Sequence, residues 1–414
     1  MNMKLVDISN IAQAITDHGV EILTQTRIGY MQECFKKHWF RYEMRLVPQT
    51  EKEKTLSFGS LIHECLEEWH KPGSAGEAQT TNERSITVFA LINVTYPDRS
   101  TDEKAKELWH YAIAMMRAYI ARYPCGSENF QTIHTEHGAV GPILNPKTDA
   151  AARAVVYALK ADGIVQMFFD GSYWLFEYKT KSGSVENAYL DKLWNDFQIV
   201  SYSYYLERQE NIKISGVVYN VLVKPRLKQK IEETEEAFQI RYAAACEKNK
   251  SGKSSATREL GETDDEFQAR LAVYYADPEK LHREEILIDK RQYDEVRTEL
   301  WQLAQLYLFL RRSKSWPRNR KACFNWGRRC GYYEVCNAQP HEEEEMTRIF
   351  LKHEAPHREL AEMLGLKVDD VKDTDTLVNP EPGPATHTIN DDAAILREQM
   401  KSGPDAQVDF WGDF

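Results

Sequence analysis

The sequence contains no run of about 18 apolar residues, the length that crosses a bilayer, so no membrane span is expected. Its first residues, MNMKLVDISNIAQ, lack the basic segment, apolar stretch and small-residue cleavage site of a secretion signal. A cytoplasmic, reducing location is therefore expected, and there seven cysteines are buried thiols or metal ligands rather than disulfides. No internal repeat stands out. A phosphate-binding loop is also missing: SGKSS at Ser251 imitates the end of one, but Glu247 stands where its first glycine belongs. This leaves no sign of an ATPase motor.

An excess of positive charge is lacking too. The formal net charge is −11, which argues against nucleic-acid binding until it is located. From Asn337 to Phe414 there are 18 Asp and Glu against 7 Lys and Arg, so the first 336 residues hold 46 of each. The whole excess sits in the C-terminal part, and a neutral body still permits basic patches that face phosphates.

What the chain does have is a core. Apolar residues make up 42% and aromatics 11% of the 414 residues. Helical spacing predicts a helix over about Ile22–Tyr42, another from near Ser57 carrying FGSLIHECLEEWH, a loop over 71–84, and two more helices before Tyr123. Ala154–Lys160, Gly163–Phe169 and Tyr173–Thr180 read as strands, the last two joined by a hairpin at Asp170-Gly171. A long helix is expected at about Asn187–Arg208, then a covered strand, ISGVVYNVLVK, from Ile214. Residues 226–280 read as a polar, mostly helical insertion, followed by strand EEILID and a helix at about Arg291–Leu310. Past Cys336 come EEEE, a helix at about Glu343–Leu364 and a disordered stretch.

Asp162 opens one strand of the hairpin, and Glu177 and Lys179 lie near the end of the next. Residues two apart on a strand share a face, so Glu177 and Lys179 point together. Two carboxylates can bind a hard divalent cation, and a neighbouring lysine can hold a phosphate. Taken alone, the three read more readily as an ordinary half-exposed hairpin with a salt bridge, because Asp followed by Glu-x-Lys is common. His63 lies on a helix among apolar neighbours, where a core histidine is the commoner case. Gln198 and Tyr202, four apart, share a helix face. His134 and His137 in HTEH could suggest zinc, but they are expected to alternate across a strand, which sets them aside. Cys323, Cys330 and Cys336 cluster, and three thiols are too few for a closed site. Cys34, far upstream, would complete it. Cys65, Cys125 and Cys246 read as packing or surface thiols.

TQTRIGYMQECFKKHWFRYEMRL, LSFGSLIHECLEEWH, ADGIV with WLFEYKTKSG, QIVSYSYYLE and C-x6-C-x5-C come in one order over about 24–336. In this the chain resembles RecB/AddB-type PD-(D/E)XK nucleases, above all the iron–sulfur branch with the CRISPR-associated RecB-like exonucleases. The resemblance implies a restriction-endonuclease-like α/β fold, a mixed sheet flanked by helices, with helical insertions at about 71–130 and 226–280. It implies Mg²⁺ or Mn²⁺ held by His63, Asp162, Glu177 and the Tyr178 carbonyl, with Lys179 as catalytic lysine. Gln198 and Tyr202 would contact DNA, and Cys34, Cys323, Cys330 and Cys336 would hold a [4Fe–4S] cluster. The first cysteine gap of six residues is longer than is frequent in the family and leaves zinc open.

The expected domains are a nuclease domain over 1–336 and an acidic, partly disordered extension over 337–414. The expected function is a DNA exonuclease acting on single-stranded ends in phage or bacterial recombination, repair or processing. The alternatives are a DNA-binding scaffold with a vestigial site and a zinc-stabilised structural protein. The end of the extension, DAQVDFWGDF, interleaves acids with Phe410, Trp411 and Phe414 and suggests a protein partner or a competitor for the DNA channel.

Overall fold

The computed structural model describes residues 20–48, 58–73, 80–249, 253–325, 327–339, 347 and 350–352. Most of the acidic extension, its aromatic end and Ser251 of the SGKSS segment lie outside the described residues. The first described element is β1 (Glu21–Leu23), which takes in the start of the helix expected from about Ile22. Thr24 ends that strand and caps α1 (Gln25–Glu33), its side chain accepting from the Arg27 N–H. α2 (Phe35–His38) continues as a π turn through Trp39–Glu43. Then come β2 (Leu46–Val47) and α3 (Phe58–His70). α4 (Thr81–Thr95) starts inside the expected loop, because Thr80 and Glu83 form a reciprocal capping box. α5 (Glu103–Arg122) follows.

The strands are longer than expected. β3 (Phe130–Leu144) pairs along almost its whole length with β4 (Ala151–Met167), and β4 merges two of the expected strands. β5 (Tyr173–Ser182) returns after the turn at Asp170-Gly171, where Gly171 takes φ +70°. The expected long helix is two: α6 (Asn187–Trp194) and α7 (Phe197–Glu210), divided where Asp196 caps α7. β6 (Ile214–Lys224) matches ISGVVYNVLVK residue for residue. The insertion supplies α8 (Glu235–Lys248) and α9 (Asp264–Tyr275). After β7 (Leu281–Leu287) and α10 (Gln292–Ser313) come β8 (Phe324–Asn325), β9 (Arg328–Arg329), α11 (Tyr333–Asn337) and β10 (Leu351–Lys352). β10 pairs with β2, so two residues of the expected helix at about 343–364 are extended.

Six strands form one mixed sheet. β4 pairs antiparallel with β3 and β5 and parallel with β1, and β5–β6–β7 complete the sheet. β5 and β6 run parallel, which requires a long crossover, and α6 and α7 supply it. Alternate residues face opposite layers. Leu175, Val217 and Tyr219 pack in one core with Ile199 of α7 and Leu300 of α10. Phe176, Val218 and Leu222 pack in another with Ile62 of α3, Met115 of α5 and Phe267 of α9. The architecture is a restriction-endonuclease-like sheet between helical layers. Among the described residues no helix is long and apolar enough to cross a membrane.

Candidate active site

The site forms where two paired strands part. β4 and β5 pair only from Gly163–Phe176 to Gln166–Tyr173, and β1 pairs with β4 at Val155–Tyr157. Between these stretches one edge of β4 has no strand partner among the described residues. Asp162 sits at that opening. Its Oδ2 accepts the Tyr178 backbone N–H at 2.8 Å, so a carboxylate takes the place of a ladder bond.

Beyond the opening, Glu177 and Lys179 share the face of β5 that meets α7. Lys179 Nζ donates to Glu177 Oε2 at 3.4 Å and to Gln198 Oε1 at 3.3 Å. The Gln198 amide nitrogen donates to the same Glu177 oxygen at 3.3 Å. From the opposite layer α3 supplies His63, whose Nδ1 is 3.4 Å from Asp162 Oδ1. Side-chain exposure rises from 1% at Glu177 to 25% at Lys179 and 31% at His63, so the site opens on the His63–Lys179 side.

The two carboxylates are held in different states. Burial works against charge on Asp162, but the hydrogen bond and charge of His63, the Tyr178 N–H and Lys179 outweigh it and keep its carboxyl below the usual range. Burial pushes Glu177 up, the charge of Asp162 adds to this, and Lys179 offsets only part. Burial works against the Lys179 ammonium, and the charges of Glu177, Asp162 and Asp196 hold it charged. Glu177 Oε1 is buried without a hydrogen-bond partner. A buried carboxylate oxygen left without a donor costs about 1–3 kcal/mol unless the group is protonated or a cation meets that oxygen. The donor set therefore fits a hard divalent ion. The donor atoms of His63, Asp162 and Glu177 do not all lie within 4.8 Å of one another. Mg²⁺ usually keeps several waters and takes one or two carboxylates, so this spacing fits a hydrated ion.

Gln198, expected near the site, bonds to two of its members. Tyr202 packs in the core beneath it, where burial pushes its hydroxyl well up and the charges of Glu177 and Asp162 add to that. Tyr178 points its ring into the opposite core. Reading the sequence as one long helix missed Asp196. Its Oδ1 caps α7 at the Gln198 N–H (3.0 Å), and its Oδ2 accepts from the Tyr219 hydroxyl at 3.1 Å. An Asp before a new helical run is an N-cap signal that could have found it.

Cys34, Cys323, Cys330 and Cys336 line one cavity, with Lys37, Arg318 and Tyr332 among its walls. Cys34 sits in extended backbone between α1 and α2, and its sulfur accepts from the Asn319 N–H at 3.3 Å. The Cys330 N–H donates to the Cys323 carbonyl at 2.9 Å. Burial pushes the Cys330 and Cys336 thiols up; Lys37 offsets this at Cys330 and Arg318 at Cys336. No three of the four sulfurs lie within 4.8 Å of one another. Cys65 is buried away from this cavity in the core around α3, while Cys125 and Cys246 are half-buried.

One expectation is overturned. His134 and His137 do not alternate: their rings stack, with centroids 4.3 Å apart. Glu136 between them takes a left-handed φ of 49°, and a register shift precedes His134, so the period of two breaks here.

The family model that matches the chain is that of the PD-(D/E)XK nuclease superfamily, over residues 22–337. Comparison with curated proteins gives no match. Among solved structures, the crystal structure of Candida albicans Rai1 in complex with pU5-Mn²⁺ is similar at 11% identity. It covers 73% of this chain and 82% of that one, with a TM-score of 0.16.

Proposed function

The chain belongs to the PD-(D/E)XK nuclease superfamily and is a nuclease, and we propose that it is a metal-dependent DNA exonuclease with its core stapled by a cysteine-bound cluster. The observation that carries this reading is the buried, unpartnered Glu177 Oε1 beside Asp162 and Lys179. Mg²⁺ or Mn²⁺ would be held by His63, Asp162, Glu177 and the Tyr178 carbonyl. When bound, such an ion supplies an activated water and neutralises charge on the phosphate.

The chain's own residues do the rest. Lys179, charged and at the open side of Glu177, meets a phosphate oxygen and the developing negative charge. Gln198 holds Lys179 and Glu177 in register from the start of α7. Asp162, kept ionised, fixes His63 on one side and the Tyr178 backbone on the other. Gln198 and Tyr202 are assigned to contact with DNA near the scissile bond, on single-stranded ends.

Cys34, Cys323, Cys330 and Cys336 are assigned to a [4Fe–4S] cluster. Tetrahedral zinc at 2.3 Å from each thiolate needs sulfurs about 3.8 Å apart. The wider spread of the four thiols supports the larger group. A cytoplasmic role in recombination, repair or DNA processing follows from this reading, with 1–336 as the nuclease domain and 337–414 as an acidic arm. The test is an assay on end-labelled single- and double-stranded DNA with Mn²⁺, comparing wild type with Lys179→Ala. Shortening from an end by wild type alone supports the reading. Equal cleavage by both proteins, or none by either, overturns it in favour of a contaminant or a vestigial site.

A further inference from the structure

His134 and His137 on β3 and Glu210 at the end of α7 bring three ligand atoms within 4.8 Å of one another, half-buried at the side of the sheet. Among the described residues no other group of His, Cys, Asp or Glu does so. The His137 Nε2 to Glu210 Oε1 distance is 2.8 Å. Two imidazoles and one carboxylate form a donor set for a borderline divalent cation, with a fourth position left to water.

From this convergence we propose that His134, His137 and Glu210 form a second metal site, for Zn²⁺ or a cation of its class, separate from the nuclease centre. Two donors about 2.0 Å from one ion at the tetrahedral angle lie about 3.3 Å apart. The His137–Glu210 pair therefore has to open by about half an ångström as the ion replaces its hydrogen bond, and one of the stacked imidazoles has to turn so that both in-plane lone pairs meet the ion.

The surroundings resemble those of a built site. Gln209 Nε2 donates to Glu210 Oε1 at 3.0 Å and to the Gly138 carbonyl at 2.9 Å. Its Oε1 accepts the Val140 N–H at 3.3 Å. The carboxylate is thereby oriented from the backbone of the same strand that carries both histidines, the kind of outer support that fixes ligand geometry. The break in alternation at Glu136 places both imidazoles on one side, and a regular strand would have separated them.

The site's role follows from where it lies. α7 has 14 residues and is roughly 21 Å long. Gln198 stands near one end of it, bonded to Lys179 and Glu177, and Glu210 is the last residue at the other. An ion shared with β3 would fix that far end against the sheet. This is a strut for the helix that carries Gln198, and no step of hydrolysis passes through it.

The test uses the full chain and reads metal content. Wild type, the His134→Ala/His137→Ala double variant, Glu210→Gln and Cys330→Ser are dialysed with Zn²⁺ and then against metal-free buffer. The double variant is expected to hold one zinc per chain fewer than wild type. Glu210→Gln keeps the side chain's size and is expected to bind at least tenfold more weakly, while Cys330→Ser keeps this ion. With Co²⁺, the difference between wild type and the double variant is expected to show ligand-field bands without sulfur-to-metal charge transfer. If the double variant misfolds, Glu210→Gln decides the matter alone. Wild-type zinc content in Glu210→Gln would reduce the trio to an ion pair and overturn the proposal. A cobalt difference spectrum carrying thiolate bands would overturn it too. Neither result depends on whether the protein cleaves DNA.

Discussion

Asp162 Oδ2 stands 2.8 Å from the backbone nitrogen of Tyr178, at the point where β4 and β5 stop pairing. This bond satisfies a backbone donor that the parting strands would leave bare. It also fixes the carboxylate beside Glu177. One residue thus terminates a ladder and builds a site, so its substitutions separate charge from shape.

Asp162→Asn keeps an acceptor for the Tyr178 N–H and removes the charge. Cleavage of end-labelled DNA in Mn²⁺ is expected to fall ~10³-fold or more, with melting temperature and DNA binding little changed. Lys179→Ala is expected to fall by a similar factor. Wild-type rates in both variants would remove these residues from the chemistry.

Gln198→Ala leaves Glu177 and Lys179 without their shared partner. An unmet buried polar group costs about 1–3 kcal/mol, so cleavage is expected to drop about tenfold to hundredfold. Gln198→Glu places a third negative charge against Glu177 and is expected to lose more. Steady-state kinetics of the two variants rank them, and the reverse order would argue against this role.

Cys34→Ser is expected to lower the melting temperature more than Cys65→Ser and to lose bound iron. Cys34 touches Asn319 across 285 residues of chain, so a ligand bond there closes a very long loop. Cys65 only packs, its sulfur 3.9 Å from the Val88 carbonyl. Coincident melts and iron contents would contradict the assignment.

His70 gives stability a pH dependence of known sign. Burial, then the charges of Arg283 and Arg84, hold its imidazole well below the usual range, and it pairs with the Tyr119 hydroxyl at 2.9 Å. The unfolded chain takes up a proton near pH 6.5 and the folded chain does not. This contribution is full above that pH and is lost as pH falls below it, by up to about 1.4 kcal/mol per unit. Denaturant melts from pH 7 to 5 should show a shallower loss in His70→Gln than in wild type. Parallel slopes would assign the acid loss to other groups.

Deleting residues from Asn379 onward is expected to tighten binding to single-stranded DNA at low salt and to leave it unchanged at high salt. The motive is the acidic excess confined to residues 337–414. Of the arginines that could face such an arm, Arg311 already pairs with Glu21 at 2.9 Å and Arg329 with Glu334 at 3.1 Å. Affinities that coincide across salt would leave only partner binding to be tried.

Local chemistry made part of this molecule readable in advance. The apolar run from Ile214 became a strand with the same ends, because a strand covered on both faces needs nothing but apolar residues. Asp170-Gly171 gave the hairpin, because Gly171 occupies a left-handed turn position. Glu177 and Lys179 share a face by strand period alone. What failed depended on distant partners. Ile22 and Leu23 fit helical spacing in isolation and become part of a strand through β4. Within Phe130–Leu144 only the segment around His134–His137 reads as strand, and the full length follows from its pairing with β4. Asn195 and Asp196 divide a helix that apolar spacing ran together. The His134–His137 pair was dismissed on a period that Glu136 interrupts.

The contact between Cys34 and Asn319 also orders events in time. A ribosome adds about 5–20 residues per second, so some 285 residues separate the two by on the order of ten seconds to a minute. During that interval Cys34 has been made while Cys323, Cys330 and Cys336 are still untranslated. In the proposed cluster, closure therefore waits for Cys336, and a chain cut short before that residue could not complete it.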